Sequence, residues 1–451
     1  MAASSQPTLR SLAAKISELS EALNGYLDEE KVPAASFAAD SPTRYPNLPP
    51  NIFMVRQELL DNLNDLWYLA QGPSESVFNY VHSAIPNAAA LNVLNSFDFW
   101  SAVPLSGSAS YEEVAAKVAL PRDVVYRILQ HAITMRLFAE TRDGSGASRI
   151  EHTSRSAALA QASGLRALVS SILGDSGAPM MVLNEALRRF SSGQPGLSQK
   201  MDETSFALLY GRSQLGDFKN SWELLENDGE GDKQGWRQRN FVEFMRYLND
   251  LFHLENVVLD SYEWPSEGQI SVVDVGGSAG SDAIRLARQF PGMSVTVQDL
   301  KHAGPAFEAA LPQDLSDRVR FVEHSFFNVQ PVTADIYLLK MILHDWPDAE
   351  CAQVLRNLIP AMKPGAKVIL IEYIGGAGEE NSEATEAIPL SSKQYGTATD
   401  LRLMAMFNGK ERPISAWKSI FDIADPRFNV RATKVAPSGF FGIVEASWDD
   451  K

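Results

Sequence analysis

Cysteine is almost absent from this sequence, since Cys351 is the single cysteine among 451 residues. One thiol cannot form an intramolecular disulfide or a cysteine-based metal cluster, and so few cysteines are typical of reducing compartments. Runs of about 18 apolar residues, the length of a membrane span, are also lacking. The opening MAASSQPTLR has no basic segment followed by an apolar core, as a signal peptide would. These absences predict a cytoplasmic protein without a membrane anchor, and we expect no metal site.

Positive charge is scarce as well. Lysine and arginine total 40 against 56 aspartate and glutamate residues, which gives a net charge of -16. A surface this acidic repels a phosphate backbone, so nucleic acid is not an expected partner. At 451 residues the chain is also too long for one ordinary core, and two domains are predicted.

The beginning of the chain has the apolar spacing of an amphipathic helix. Apolar side chains recur at steps of three and four residues, at Leu9, Leu12, Ile16, Leu19 and Leu23. Thr8 stands where a helix cap is expected. So narrow an apolar stripe suits packing against one partner helix, or dimer formation. The following stretch, 32 to 51, contains five prolines and predicts a linker.

Residues 108 to 153 predict two helices followed by a hairpin. Ser110 and Glu113 have the spacing of a capping box, and Pro121 stands where a second helix begins. Asp143-Gly144 forms a good turn between two short strands. This order is that of a winged helix, which in DNA-binding proteins enters the major groove. On a chain this acidic it favours a role in packing or in dimer formation.

The second half of the chain alternates short apolar strands with helical stretches. The strands are predicted at 270–275, 293–300, 319–326, 334–343, 366–374 and 440–448. Such alternation is typical of an α/β fold, a mostly parallel, doubly wound sheet with helices on both faces. A polar, glycine-containing break at 226–235 marks the boundary. We therefore predict a mostly helical domain at 1–230 and a doubly wound domain at 231–451.

The segment VVDVGGSAG (272–280) is an apolar strand followed by a glycine turn and a helix. Its glycines, Gly276, Gly277 and Gly280, let the backbone approach a ligand closely, but they do not match the G-x-G-x-x-G spacing of dinucleotide enzymes. Asp299 follows Asp274 by 25 residues, at the end of the next strand, where a carboxylate can accept hydrogen bonds from ribose hydroxyls. A nucleoside cofactor without a required phosphate indicates S-adenosylmethionine.

Four blocks between residues 272 and 413 carry a family resemblance: DVGGSAG, VQDL, LLKMILHDWPDAEC and MFNGKERP. In order and spacing they resemble the plant- and fungal-type O-methyltransferases of the caffeic-acid and flavonoid class, above all the fungal secondary-metabolite members. The first half is similar to the winged-helix dimerisation domain of that family. The resemblance implies a Rossmann-like S-adenosylmethionine-binding domain at 231–451, a small-molecule substrate and a homodimer.

The resemblance also implies roles for individual residues. The cofactor-binding positions are Asp274, Gly276, Gly277, Gly280, Asp299, Ser325, Phe326 and Lys340. His344 falls on the catalytic base of the family, and Glu372 and Glu411 on the two acidic residues that flank it. The chemistry agrees, because an aryl hydroxyl must lose its proton as it attacks the sulfonium methyl group. A carboxylate bonded to the second nitrogen of a histidine base fixes its tautomer.

Two positions depart from the family pattern, and the substrate pocket is only outlined. Ser278 replaces the middle glycine of the loop, and Ser325 in HSFF (324–327) replaces a carboxylate that usually contacts the cofactor. The candidate pocket walls are Phe241, Met245 and Met341. Each of these apolar side chains is equally well explained as part of the core.

Three functions are compatible with these residues. Methyl transfer to a hydroxyl of an aromatic or polyketide-like metabolite is favoured by the intact His344, Glu372 and Glu411. The alternative is pericyclic or dehydrative ring formation without methyl transfer, with Lys340 or His344 donating a hydrogen bond to a substrate carbonyl. Ser325 slightly favours that alternative. A non-catalytic winged-helix regulator is disfavoured by the negative charge and by the complete set of catalytic candidates.

Overall fold

The computed structural model describes residues 6–45, 48–211, 216–252, 254–260, 262–373, 389–435 and 441–449. The chain divides into two compact units, and each is assembled from separate stretches. The first contains 1–178, 224–252 and 389–391, and the second contains 179–223, 253–388 and 392–451. The units thus interleave along the chain, whereas the sequence analysis placed a single boundary at residue 230, which stays a prediction.

The first unit is mostly helical. Its helices are α1 (Leu9–Glu29), α2 (Pro50–Gln71), α3 (Pro73–Ser96), α4 (Phe99–Ala102), α5 (Tyr111–Val118), α6 (Arg122–Thr134), α7 (Ser154–Gln161) and α8 (Ser163–Val169). Among the described residues no single helix has the length and apolar composition of a membrane span. Two consecutive helical segments meet those limits only when taken together, and they are bent by 101° at the break between them. They are Ser154–Gln161 and Ser163–Asp175.

Helix α1 begins where the sequence predicts. The Thr8 side chain accepts a hydrogen bond from the Ser11 N–H and completes a capping box. The helix packs along α2 of the same chain, and its buried side chains are Leu12, Leu19, Leu23 and Leu27. The prediction was wrong for Leu9, which is 50% exposed. The predicted linker runs without helix through its described residues up to Pro50, where α2 begins.

The predicted helix–helix–hairpin order is confirmed within the first unit. Ser110 and Glu113 form the capping box of α5, and α6 follows Pro121 directly. The hairpin strands are β2 (Phe138–Arg142) and β3 (Ser148–His152), and β1 (Ser108–Ala109) pairs with β3 on its other side. The core beneath them is apolar and contains Leu94, Trp100, Val125, Leu129 and Ile150.

The second unit contains a seven-stranded sheet, which confirms the predicted α/β class. Its strands are β4 (Ile270–Val275), β5 (Met293–Asp299), β6 (Val319–Glu323), β7 (Ile336–Lys340), β8 (Lys367–Tyr373), β9 (Phe428–Val435) and β10 (Phe441–Trp448). The order is β6-β5-β4-β7-β8-β10-β9. β10 runs antiparallel to both of its neighbours, and the remaining pairs are parallel. The sequence analysis missed β9, and residues 374 and 440, at the ends of two predicted strands, lie outside the described residues.

Helices cover both faces of this sheet. In chain order the helices after α8 are α9 (Gly177–Met181), α10 (Leu183–Phe190), α11 (Ser205–Tyr210), α12 (Ser221–Asn227), α13 (Trp236–Leu251), α14 (Val257–Asp260), α15 (Ser281–Gln289), α16 (Gly304–Ala310), α17 (Asp348–Leu358), α18 (Leu390–Phe407) and α19 (Ile414–Ala424). Of these, α13 lies in the first unit. Two apolar cores lie in the second unit, one with side chains of α17 and α19 and the other with side chains of α14 and α15. Because the central strands are parallel, their carboxyl ends meet at one edge, where ligands of such sheets bind.

Candidate active site

The glycine loop follows β4 at this edge of the sheet. Gly276 and Gly280 have φ of 74° and 75°, and Ser278 has φ of 50°, so the chain reverses tightly before α15. A Cβ atom at Gly277 would lie 2.4 Å from Asp274 Oδ2 and 2.9 Å from Val297 Cγ1. The loop therefore lies directly on the end of the strand, and only glycine fits at position 277 without displacement.

Two carboxylates lie at this loop. Asp274 is buried, its Oδ2 makes no hydrogen bond among the described residues, and burial, with the nearby charge of Asp282, raises its pKa to about 8. Asp299 Oδ2 accepts a hydrogen bond from the Ser278 N–H at 2.9 Å, and Oδ1 accepts from the Leu300 N–H at 2.7 Å. Burial raises the pKa of Asp299 also. Each Asp299 oxygen keeps a lone pair that can accept a ligand hydroxyl.

Lys340 ends β7 and points to the same loop. Its Nζ lies 3.0 and 2.9 Å from the two carboxylate oxygens of Asp282, in the first turn of α15. This ion pair is largely buried, with 11% and 20% of the two side chains exposed. The positive charge of Lys340 is therefore fixed at the start of α15.

A short 3-10 turn, Leu343–Asp345, follows β7 and carries the histidine. Met341 precedes it with φ of 53°, a left-handed conformation that turns the chain out of the strand. Glu372, from neighbouring β8, accepts hydrogen bonds at Oε1 from the N–H groups of Leu343 at 2.8 Å and Ile342 at 3.3 Å. Glu372 thus stabilises the backbone of the turn.

His344 is held through one of its two nitrogens. Its Nδ1 lies 3.0 Å from Glu411 Oε1, and both side chains are buried. The Lys410 N–H donates to the His344 carbonyl oxygen at 3.0 Å, so the segment that carries Glu411 is bonded to the histidine backbone too. Because Glu411 occupies Nδ1, Nε2 is the nitrogen left for a reacting group, with Asp345 Oδ1 at 3.7 Å.

The negative charges around His344 dominate its electrostatics. Burial alone would lower the pKa of the imidazole, but Asp345, Glu411 and Glu372 outweigh it and raise this pKa to about 10. Burial, with the charge of Glu411, raises the pKa of Glu372 to about 7. Within the described residues the Oε2 atoms of Glu372 and Glu411 make no hydrogen bond. These carboxylates therefore favour the protonated form of His344, and two buried acceptor atoms remain available.

Two buried side chains that the sequence analysis did not select hold the histidine turn in place. The Arg412 guanidinium donates to the carbonyl oxygens of Leu343 at 3.2 Å and Trp346 at 2.8 Å. It also pairs with Asp348 at 2.7 Å. The thiol of Cys351 donates to the Leu343 carbonyl oxygen at 3.1 Å. The signal for Arg412 was its place beside Glu411 in GKERP.

Comparisons with known proteins agree with this geometry. Residues 225–425 match the model of the O-methyltransferase domain. The O-methyltransferase lcsG of Purpureocillium lilacinum is 36% identical over 443 residues, which cover 98% of this chain and 94% of the relative. The O-methyltransferase kk1A of Curvularia clavata is 31% identical, with 98% of each chain covered. The chain belongs to the O-methyltransferase family. This membership confirms the predicted S-adenosylmethionine-dependent O-methyltransferase.

Solved structures of related fold include one with a bound aromatic acid. The O-methyltransferase NcsB1 from neocarzinostatin biosynthesis, in complex with S-adenosyl-L-homocysteine and 1,4-dihydroxy-2-naphthoic acid, is 25% identical and has a TM-score of 0.62. The match covers 80% of this chain and 96% of that one. A structure described as a pericyclic reaction enzyme has a TM-score of 0.65 at 18% identity, with 97% of this chain and 100% of that chain covered. The latter likeness shows the fold alone.

The loop of this methyltransferase suits the cofactor of the family. The orphaned Asp274 Oδ2 and the two acceptor oxygens of Asp299 are groups that bind ammonium and hydroxyl donors. Ser325 accepts a weak hydrogen bond from the Phe327 N–H at 3.4 Å, and it offers no carboxylate to the site. Phe326 and Phe327 lie with ring centroids 5.8 and 4.6 Å from Trp346, in edge-to-face contact. These three rings form an apolar cluster next to the histidine turn, since the Trp346 N–H donates to the Leu343 carbonyl oxygen at 3.1 Å.

The three predicted walls of the substrate pocket lie on different elements. Met341 adjoins the histidine turn and packs against one apolar core of the second unit. Phe241 and Met245 lie on α13, in the first unit, where both are half-buried. The roles of these three side chains in a substrate pocket stay predictions.

The sequence analysis also missed three charged residues of the second unit. Asp345 borders Nε2 of the histidine and directly follows it in the chain, which was the available signal. Asp400 Oδ1 accepts a hydrogen bond from the Glu411 N–H at 2.7 Å. Arg402, on the same helix α18, is half-buried and acts electrostatically on Asp345 and Glu411. No local pattern pointed to Asp400 or Arg402, because only folding brings α18 to the turn.

Proposed function

We propose that this protein transfers a methyl group from S-adenosylmethionine to a hydroxyl of an aromatic or polyketide-like small molecule, with His344 as the general base. One observation carries the proposal: Nδ1 of the buried imidazole is fixed by Glu411 at 3.0 Å, which leaves Nε2 for a substrate hydroxyl. The glycine loop and Asp299 end neighbouring strands at the same edge of the sheet. A base and a cofactor loop are thus available to one substrate.

The cofactor, when bound, supplies an electrophilic methyl group on a positively charged sulfur. Asp299 would hold the ribose hydroxyls, and the glycine loop would allow close approach of the backbone. Asp274 would accept a hydrogen bond from the amino group of the methionine part. Lys340, paired with Asp282, keeps the start of α15 in place. Together these residues would bind and orient the cofactor, and methyl transfer requires the substrate hydroxyl oxygen to be in line with the transferred methyl group.

His344 controls the proton of the substrate hydroxyl. A neutral imidazole can remove the proton from a phenol. Alternatively, an imidazolium can pair with a phenolate that has already lost its proton. Both routes give an imidazolium beside a phenolate. Glu411 stabilises the imidazolium in either case, because its carboxylate is bonded to Nδ1. Glu372 keeps the turn in position through the Leu343 N–H. The substrate oxygen thereby becomes a better nucleophile.

An aromatic substrate is supported by the rings around the site. Phe326, Phe327 and Trp346 present apolar faces and edges suited to a planar ligand. The related NcsB1 was crystallised with naphthoic acids. Fungal relatives named as O-methyltransferases favour a hydroxyl as the acceptor.

We include a homodimer and a cytoplasmic location in the proposal. Helices α2 and α3 expose large apolar side chains, namely Met54, Leu63, Trp67, Tyr68, Leu69, Val77, Phe78, Tyr80, Val81 and Ile85. An apolar surface of this extent is typical of protein interfaces, and a second copy of the chain is the partner that the family resemblance implies. The single thiol, Cys351, is buried and suits a reducing compartment.

Mass spectrometry of products tests the reaction. Purified protein is incubated with methyl-labelled S-adenosylmethionine and a panel of hydroxy-aromatic compounds, and we expect products heavier by one labelled methyl group. His344→Ala should reduce the rate by about 10²- to 10⁴-fold, the usual contribution of a general base. Lys418→Ala, on an exposed helix face, is the control and should retain full activity.

Two results would contradict the proposal in different ways. Unchanged turnover by His344→Ala would remove the base assignment while leaving methyl transfer intact. A rearranged or cyclised product of unchanged methyl content, formed by the wild-type protein, would instead support the ring-forming alternative. In that case Lys340→Ala should slow product formation, since Lys340 is then a candidate hydrogen-bond donor.

A further inference from the structure

Arg402 brings a positive charge to the carboxylates that border the histidine. It lies on α18, two residues after Asp400, whose carboxylate accepts the Glu411 N–H at 2.7 Å. Its side chain is half-buried, and Asp345 and Glu411 are the charges that act on it. The helix thus supplies both an acceptor for the Glu411 backbone and a cation near the Glu411 carboxylate.

The N–H donors of Arg402 have no acceptor among the described residues. With the part of the chain that the structure describes, the Arg402 guanidinium makes no hydrogen bond and no ion pair within 4.0 Å. Arg412 provides the contrast, since its guanidinium donates to two carbonyl oxygens and to Asp348. A guanidinium has five N–H donors, and leaving them without acceptors in an enclosed position is costly. Arg402 therefore has donors available for a bound molecule.

Asp345 is in a similar situation beside it. Its carboxylate lies 3.7 Å from His344 Nε2, with 18% of the side chain exposed. Among the described residues it makes no hydrogen bond through that side chain. Asp345 thus lies beside Nε2, the nitrogen that a substrate hydroxyl would approach, and Arg402 is a cation that acts on Asp345. Among the described residues neither side chain makes a hydrogen bond.

We propose that Arg402 is a substrate-recognition residue that donates hydrogen bonds to a carbonyl oxygen on the same aromatic ring system as the methylated hydroxyl. This inference rests on the proposed methyl transfer at His344. A neutral carbonyl is a better ligand than a carboxylate here, because Asp345 and Glu411 already place negative charge near the guanidinium and would repel an anion. The substrate class is therefore hydroxy-aryl ketones, quinones and lactones.

Enclosure strengthens this selection. The Arg402 side chain is half-buried, and burial lowers its pKa against the opposing effect of Asp345 and Glu411, so its donors have only partial access to water. A hydrogen bond to a charged donor is stronger in such a place than in bulk water. A site built to bond one polar group rejects analogues without it, because its own donors are then left unpaired.

Binding of matched naphthols tests the inference. The ligands are 2-acetyl-1-naphthol and 4-acetyl-1-naphthol, the two corresponding ethyl-1-naphthols, and 1-hydroxy-2-naphthoic acid, each titrated calorimetrically into protein saturated with S-adenosylhomocysteine. We expect at least one ketone to bind about 10- to 100-fold more tightly than its ethyl counterpart, the range for a hydrogen bond to a charged group. The carboxylate should bind more weakly than that ketone.

Variants then assign the preference to Arg402. Arg402→Met should remove the preference for the ketone while leaving the affinity for the ethylnaphthol within about twofold, and Arg402→Lys should restore part of it. Arg288→Met, on the exposed face of α15, is the matched control and should keep the full preference. Circular dichroism and cofactor affinity establish that each variant is folded.

Several outcomes would overturn the inference. These are equal binding of ketones and ethylnaphthols by the wild type, no binding of any ligand by folded protein, or a preference that survives in Arg402→Met. An equal loss for every ligand in Arg402→Met would show that Arg402 only balances Asp345 and Glu411. Failure of methyl transfer is distinguishable, because it would appear in the product masses while this binding preference could remain.

Discussion

At the scale of single residues, the pKa of His344 is determined mainly by the carboxylates around it. Three carboxylates, Asp345, Glu411 and Glu372, raise its pKa to about 10 in spite of burial. An imidazole with a raised pKa loses its proton only at higher pH. The family position of His344 was evident from HDWPD, but the extent of this shift follows from carboxylates on three separate segments.

The pH dependence of the rate follows from that shift. An imidazolium and a neutral phenol together carry one proton more than the reacting complex. This proton must be lost before methyl transfer, so kcat/KM should rise with pH across the neutral range. Glu411→Gln removes a negative charge from Nδ1 and should therefore move the rising limb to lower pH while reducing the maximal rate. Initial rates with labelled cofactor across pH 6 to about 10 provide the measurement. A limb that stays in place, or moves to higher pH, would contradict this account of the charges.

Gly277 provides a second prediction at this scale. Gly277→Ala places a Cβ atom 2.4 Å from Asp274 Oδ2, so the loop must shift away from the end of β4. We expect the affinity for S-adenosylhomocysteine, measured by calorimetry, to fall, together with a stability loss of about 1–3 kcal/mol. Gly144→Ala, in the hairpin of the first unit, has nothing within 4 Å and should change neither quantity. Wild-type affinity in Gly277→Ala would mean that the loop does not bind the cofactor.

At the scale of elements, the histidine turn is held by a neighbouring strand and by the segment after α18. Glu372 of β8 bonds the N–H side of the turn, and Arg412 bonds its carbonyl side. The Lys410 N–H adds a direct backbone link to His344. The turn is therefore positioned by groups distant in sequence, and its geometry depends on how those elements pack.

Arg412 is the element-scale test. Arg412→Ala removes a buried guanidinium from Asp348, which keeps Lys410, and from two carbonyl oxygens, which keep only the weaker Cys351 thiol donor. Because 34% of the Asp348 side chain is exposed, we expect a stability loss of about 1.5–3 kcal/mol, the range for hydrogen bonds to a charged group. Thermal unfolding should show this loss, and kcat should fall while the affinity for S-adenosylhomocysteine stays near that of the wild type. Arg412→Lys should recover stability only in part, because lysine lacks the planar fork.

Lys418→Ala is the control for this comparison, since its ion pair with Asp422 is exposed and contributes little. If Arg412→Ala lost stability with no change in kcat, Arg412 would be a structural residue alone. A proportional fall in kcat and in cofactor affinity would indicate general unfolding of the site.

At the scale of the whole molecule, the chain combines an acidic composition with an exposed apolar surface on α2 and α3. A net charge of -16 keeps copies apart by general repulsion. Trp67, Phe78 and Tyr80 are nevertheless 65%, 62% and 68% exposed, which is unusual for side chains of this size. Association through this surface would remove them from water.

Association can be measured directly. Trp67→Glu combined with Phe78→Glu should convert a dimer into a monomer in sedimentation velocity, because charges in an apolar interface are costly to bury. Ile423→Glu, at a side chain that is 54% exposed on α19, is the control and should leave the dimer intact. A wild-type protein that sediments as a monomer at micromolar concentration would exclude the proposed homodimer.

The sequence by itself determined the class of the fold, the position of the glycine loop and the family. Apolar runs and glycine spacing are local properties, so the strands β4 to β8, the capping box at Ser110 and the loop at Gly276 could be located before any contact was known. β9 was missed because its eight residues, FNVRATKV, contain no continuous apolar run. The burial of Leu9 was predicted wrongly, because the first residue of a helix need not contact the helix that packs beside it.

The family resemblance already placed Glu372 and Glu411 beside His344, but only the tertiary structure decided which other charged residues lie near it. Asp400, Arg402 and Arg412 come from a helix and from the segment after it, and no local pattern predicts where they meet. Electrostatic interactions act through space, so the raised pKa of the imidazole and the unbonded donors of Arg402 exist only in the folded chain. The sequence identifies His344 as the candidate base, and the fold determines which charged and polar groups lie beside it.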